Sequence, residues 1–358
     1  MKKIFFSIGV LLFIYSSNLA ALEAEAHSIS KDKTLLAIGF DDNVIRLYSL
    51  KTGKLLQTFR GHNKSIQSLD FSSDNAQLLS GSWDDHLIIW NVKSGKIIKN
   101  KDMGSTVYIS YFTLNDKNIV VSSEDKQLIL YNLDLKKKVE SFNVNERLQI
   151  SKNRKFLIAQ VPYDAVALID LENKKEIIHE YMDSYDDHMY FSDDASTVVV
   201  RDNSNFYVWD IIKKEPTEMI HSSIGANVAN LNSYKNELWI ANNNKIGIWN
   251  YKEIRQKALV RLNKLDIDDI EKLVFTSSGD RAAILVKLNS NERKVIILDT
   301  KTYEIRSVIK LINKSYFELE FIDNKNLLLY SSHYVEVWNI KEKKKVWSFT
   351  NISYKYKN

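Results

Sequence analysis

The chain contains no cysteine. Disulfide bonds, thiolate metal sites, covalently attached haem and a lipid-modified N-terminal cysteine are therefore excluded. It has only two prolines, so no proline-rich linker divides it. Its seven histidines are scattered, and no two share the spacing of zinc ligands. There is no phosphate loop, dinucleotide fingerprint or nucleophile elbow. Net charge is also scarce, at +5 over 358 residues. That is too little to imply a nucleic-acid partner.

Long hydrophobic runs are missing too, with one exception at the start. Lys2 and Lys3 precede the apolar run Ile4 to Tyr15, and small residues follow at Ala20 and Ala21. A run of twelve residues falls short of the roughly 20 that a membrane-spanning helix needs. The pattern is that of a cleaved export signal over residues 1–21. It predicts a periplasmic protein with its mature start near Ala21 or Leu22. A second permissible cleavage site, Ala24-Glu25-Ala26, would cut into the first strand, which should extend to about Ile29.

What the rest of the chain does have is a repeat. "IIWNV" at Ile88 recurs as "RLYSL" at Arg46, "ILYNL" at Ile129, "ALIDL" at Ala167, "YVWDI" at Tyr207, "GIWNY" at Gly247, "IILDT" at Ile296 and "EVWNI" at Glu336. The large central residues are Tyr48, Trp90, Tyr131, Ile169, Trp209, Trp249, Leu298 and Trp338, spaced 42, 41, 38, 40, 40, 49 and 40 apart. Each copy reads as four short strands with period-two patterning, separated by polar turns. A four-stranded sheet with two apolar faces cannot bury itself, whereas neighbouring copies can cover one another. The predicted fold is all-β: an eight-bladed β-propeller of four-stranded antiparallel blades, with seven blades as the alternative if a weak copy drops out.

These residues resemble a WD40-repeat protein over roughly Leu22 to Thr350, and residues 22–358 are read as a single WD40-type propeller domain. The second copy matches best, with Gly61-His62 followed by "SGSWDDHLIIWN" from Ser80 to Asn91. The resemblance implies a structural tetrad of His62, Ser80 or Ser82, Asp84 and Trp90. Asp85 and His86 are then ordinary turn residues. The other copies keep only part of the pattern, which predicts apolar packing in place of the tetrad. "DIDDIEK" (Asp266 to Lys272) is acidic enough for calcium but lacks the glycine and downstream glutamate of a calcium loop. It reads as a solvated acidic loop over residues 266–271.

In WD-type propellers, turns after the second and fourth strands open on the top face, and the others on the bottom. On that mapping the third-strand turns are Lys-rich and total about +12, while the top turns are acidic. The excess length of the seventh copy also maps to the top. The candidate partner-binding residues there are Asp41, Trp83, Tyr163, Asp187, Arg201, Asp268, His333 and Tyr334. No catalytic, cofactor or metal site is expected. The function read from this is a non-enzymatic scaffold or accessory factor, binding another exported protein as a monomer, without nucleic acid and without stable membrane insertion. The architecture is similar to the propeller accessory proteins of periplasmic nitrate reductase systems. A propeller hydrolase or lyase, or a quinoprotein-like enzyme, with a top-face site is the alternative.

Overall fold

Alternating side chains set the strands, and polar turns end them. The computed structural model describes residues 24–350 apart from 114–115, 137, 145–147, 164, 182–188, 312–317 and 332–333. Residues 1–21, read above as an export signal, therefore lie outside the described residues, as do Asp187 and His333 among the candidate site residues. Blade 1 comprises β1 (Ala24–Ile29), β2 (Leu35–Phe40), β3 (Val44–Ser49) and β4 (Leu55–Arg60). Blade 2 comprises β5 (Ile66–Phe71), β6 (Gln77–Ser82), β7 (His86–Asn91) and β8 (Ile97–Asp102). Six further blades follow in the same way, giving eight four-stranded antiparallel sheets among the described residues. Every sheet is made of four successive strands, so no blade mixes strands from the two ends of the chain. This is the blade number and strand order of an eight-bladed β-propeller. Apart from one short 3-10 turn, Ser233–Lys235, the described elements are all strands.

The turns repeat as faithfully as the strands. After the second strand of blades 1 to 7, one residue takes a positive φ: Asn43, Asp85, Lys126, Tyr163, Asn203, Asn243 and Asn291. Asn and Asp suit that left-handed conformation, which tight hairpins require. A second regularity lies on the outer strand. In every blade the pairing of the third and fourth strands slips by one residue beside the large repeat position, at Leu47/Tyr48 in blade 1 and Ile89/Trp90 in blade 2. Each slip is a β-bulge, which puts two outer-strand residues opposite one.

The chain forms two compact units, blades 1 to 4 and blades 5 to 8. Within the first, apolar clusters lie between successive blades. Phe59 of blade 1 packs edge-on against Trp90 of blade 2, with ring centroids 5.7 Å apart. Glycine is needed where strands approach most closely. A Cβ at Gly81 would lie 2.4 Å from Val107 of the next blade, and one at Gly39 would lie 2.7 Å from Ile66. Within the second unit, Trp239, Ile248, Leu273 and Ile284 belong to one cluster joining blades 6 and 7.

Blade 7 carries the extra length of the seventh copy in longer strands. β25 (Ile267–Phe275) has 9 residues and β26 (Arg281–Leu288) has 8. The segment expected as an acidic loop is thus mostly strand. Ile267 and Ile270 are buried on one side, and two bulges, at Ile267/Asp269 and Ile270/Lys272, let the acidic residues stand beside them. Those acids are paired: Asp268 with Lys287 at 2.8 Å and Glu271 with Arg293 at 2.7 Å.

Candidate functional site

The "SWDD" turn of blade 2 is organised by Asp84. Its carboxylate lies 3.0 Å from His62 Nδ1 and accepts from the Asn63 N–H at 2.8 Å and the His86 N–H at 3.1 Å. His62 Nε2 lies 2.7 Å from Ser80 Oγ, which also accepts from Trp90 Nε1–H at 2.8 Å. One proton arrangement satisfies every atom. The indole donates to Ser80, the Ser80 hydroxyl donates to Nε2, and Nδ1–H donates to Asp84. Ser80 is therefore the strand hydroxyl of the network. Ser82 plays a different part, since its hydroxyl donates to Ser65 O and accepts from the Asp84 N–H. Burial alone would raise the Asp84 pKa, but the His62 hydrogen bond, helped by the backbone N–H groups and the nearby imidazole, carries it down to about 2.

Elsewhere the buried tryptophans are accommodated differently. The position of Ser80, facing Ile88 two residues before the Trp, is taken in blade 5 by Val200, facing Tyr207. The indole N–H of fully buried Trp209 accordingly has no hydrogen-bond partner among the described residues. Blade 8 solves the same problem differently. Trp338 Nε1 donates to Glu336 Oε2 at 2.8 Å, and Lys345 Nζ donates to the other carboxylate oxygen at 2.5 Å. Blade 6 repeats this on its second strand, with Trp239 Nε1 to Glu237 at 2.9 Å and Lys257 to Glu237 at 2.6 Å. The Glu237 hydrogen bond holds the Lys257 ammonium above the ordinary lysine range. These Glu-Trp-Lys sets make blades 6 and 8 exceptions to the apolar packing expected for most blades that lack the tetrad. Their sequence signal is the pair "ELW" and "EVW"; the lysine comes from the outer strand, next to the glutamate's strand in blade 8 and across the third strand in blade 6.

A third network has no signature in the sequence. Asp70, on β5 and 3% exposed, is clamped by Arg154 through two 2.6 Å hydrogen bonds. It also accepts from the Phe112 N–H at 2.9 Å, and Arg154 donates to Phe112 O at 3.1 Å. Lys31 Nζ stands 3.9 Å away. The group thus ties blades 1, 2, 3 and 4 at their inner strands and lower turns.

The candidate partner-binding residues fall into different situations. Asp41 is exposed on the β2–β3 turn. Trp83 is 37% exposed on the equivalent turn of blade 2, its N–H bonded to Ser65 O. Tyr163 is 88% exposed at φ +68° on that turn of blade 4. Asp268 is exposed and paired with Lys287. Two others are less available than expected. The Arg201 guanidinium donates to the carbonyls of Asn203 and Ala226. Tyr334 is half-buried at the start of β31 (Tyr334–Asn339), packed against the apolar cluster that includes Leu319 and Phe321. Among the described residues, no group of three or more His, Cys, Asp or Glu is placed to hold a metal ion.

Comparison with known proteins agrees with this geometry. Residues 53–91, the segment that includes Ser80, Asp84 and Trp90, match the family described as WD domain, G-beta repeat. The chain is similar in fold to the β-propeller domain of Cps50 (Swd1) from Myceliophteria thermophila, with a TM-score of 0.58 at 13% identity over 88% of this chain and 95% of that one. In sequence it is 34% identical over 118 residues to the periodic tryptophan protein 2 homolog of Schizosaccharomyces pombe, covering 32% of this chain and 14% of that protein. It is 31% identical over 140 residues to the WD repeat-containing protein 91 homolog of Dictyostelium discoideum, covering 34% and 18%. The chain therefore matches less than a fifth of the length of either of these relatives.

Proposed function

We propose that the protein is a non-enzymatic, protein-binding propeller scaffold whose partner docks on the turns after the second strands of the blades. The observation that carries this is Tyr163. An aromatic side chain in the left-handed region costs stability relative to Asn or Gly. At 88% exposure, Tyr163 recovers little of that cost by packing in the free protein. Tyrosine and tryptophan are the residue types that dominate binding energy at protein interfaces, and Trp83 stands exposed on the matching turn of blade 2. Acidic residues such as Asp41 would steer a basic or mixed surface toward them. The export segment supports a periplasmic location. The finer reading is an accessory or assembly factor for an envelope protein or a respiratory enzyme such as periplasmic nitrate reductase. It rests on the likeness to propeller accessory proteins stated above.

Tyr163→Asn separates the binding role from a folding role. Asparagine tolerates positive φ, so the variant should melt at or above the parental temperature. Capture of the partner from an envelope extract should fall by a factor of ten or more, the size of an interface hot spot of about 2 kcal/mol. Unchanged capture by both Tyr163→Asn and Trp83→Ala would contradict the assignment.

A further inference from the structure

The lower turn of blade 1 reads Lys51-Thr52-Gly53-Lys54-Leu55-Leu56, and that of blade 2 reads Lys93-Ser94-Gly95-Lys96-Ile97-Ile98. All four lysines are exposed, and none has an ion-pair partner among the described residues. The aliphatic pairs are exposed together: Leu55 47% and Leu56 49%, Ile97 44% and Ile98 43%. A regular strand would alternate, hiding one residue of each pair. The bulge breaks that alternation, because Tyr48 pairs with Leu55 while Leu47 pairs with Gln57, and Trp90 pairs with Ile97 while Ile89 pairs with Lys99. In blades 3 and 4 the corresponding bulge residues, Val139 and Ile177, are half-buried instead. The two exposed turns adjoin. Gln57 Nε2 on β4 donates to Lys93 O at 3.4 Å, and the same side chain lies against Gly95.

The result is a patch of four unpaired ammonium groups and four exposed aliphatic side chains on neighbouring blades. Its composition points away from a protein partner. Interface cores are enriched in Trp, Tyr and Arg and depleted in Lys, and this patch has none of the former. Lysines beside aliphatic side chains are instead what a surface needs to rest on anionic headgroups, the ammoniums at the phosphates and the apolar groups at the acyl boundary. We infer that this part of blades 1 and 2 docks peripherally on a bilayer rich in anionic phospholipid. The docking does not depend on the protein-binding role of the opposite turns and leaves them free.

The test is co-sedimentation of the protein, purified from the cell fraction in which it accumulates, with vesicles of phosphatidylcholine alone or mixed with phosphatidylglycerol. Binding should be stronger to the mixed vesicles and should weaken as salt is raised. Lys51→Glu/Lys93→Glu should lower the partition onto mixed vesicles by ten-fold or more, since each lysine near an anionic surface contributes about five-fold. Leu55→Ser/Ile97→Ser should lower it several-fold while leaving the salt dependence in place. Both variants change exposed residues and should keep the parental melting temperature; Lys54→Ala/Lys96→Ala is the milder substitute if either does not. Equal binding to the two kinds of vesicle, or no change with the substitutions, would overturn the inference. So would capture of an acidic protein by this patch without vesicle binding.

Discussion

Trp90 and Trp209 occupy the same repeat position, both fully buried, yet among the described residues only Trp90 has an acceptor for its indole N–H. Phenylalanine at each position should therefore have unequal effects. Trp90→Phe removes a buried donor and leaves Ser80 short of a partner, costing about 1–3 kcal/mol beyond the loss of packing. Trp209→Phe removes a donor that is already unpaired and should cost about 1 kcal/mol less than Trp90→Phe. Chemical denaturation of the two variants measures the difference. The tetrad also fixes a pH response. The Asp84 pKa is lowered from 3.8 to about 2, so its contribution is fully present above about pH 4 and is lost as pH falls toward 2. His62→Ala should reduce stability at neutral pH by about 1–3 kcal/mol and flatten the acid limb between those values. At this scale the sequence is informative where a motif lies in one local stretch. Asp84 stands six residues before Trp90, and His62 follows its glycine. It marks Glu237 and Trp239 through the "ELW" triplet, but nothing local marks Lys257, the bulged residue of the outer strand, as their partner.

Strands and turns are the most legible level, because period-two alternation and a spacing near 40 residues leave few other arrangements. Blade 7 shows where that reasoning fails. Acidic residues at successive positions look like a loop, but two bulges in β25 allow Ile267 and Ile270 to stay buried while Asp268 and Glu271 pair with β26 and the next strand, β27 (Arg293–Asp299). Pairings across blades are invisible for a different reason. Asp70 and Arg154 lie 84 residues apart, and neither breaks its local pattern strongly enough to announce a partner. Removing Arg154 would leave the Asp70 carboxylate buried without its guanidinium, and Arg154→Ala should cost about 3–5 kcal/mol. The double variant Asp70→Leu/Arg154→Met removes both charges and should recover most of that loss, since a buried pair replaced by apolar groups is often near neutral. Thermal melts of the two variants, side by side, test this coupling.

For the whole molecule, the eight-copy repeat carries the fold, but it does not say which turns meet a partner. All the top-face candidates rest on residue type and repeat position alone. The structure separates them by what each side chain already does: Arg201 is committed to backbone carbonyls and Tyr334 to core packing, while Tyr163 is left exposed in a conformation that tyrosine disfavours. The scaffold reading therefore stands or falls on position 163. A photo-activatable phenylalanine analogue at that position, irradiated in intact cells, tests it directly. Ile212, which is 79% exposed on a third-strand turn, is the control. A discrete protein adduct is expected from position 163, and none of comparable yield from position 212. An adduct from position 212 with none from position 163 would contradict the scaffold reading.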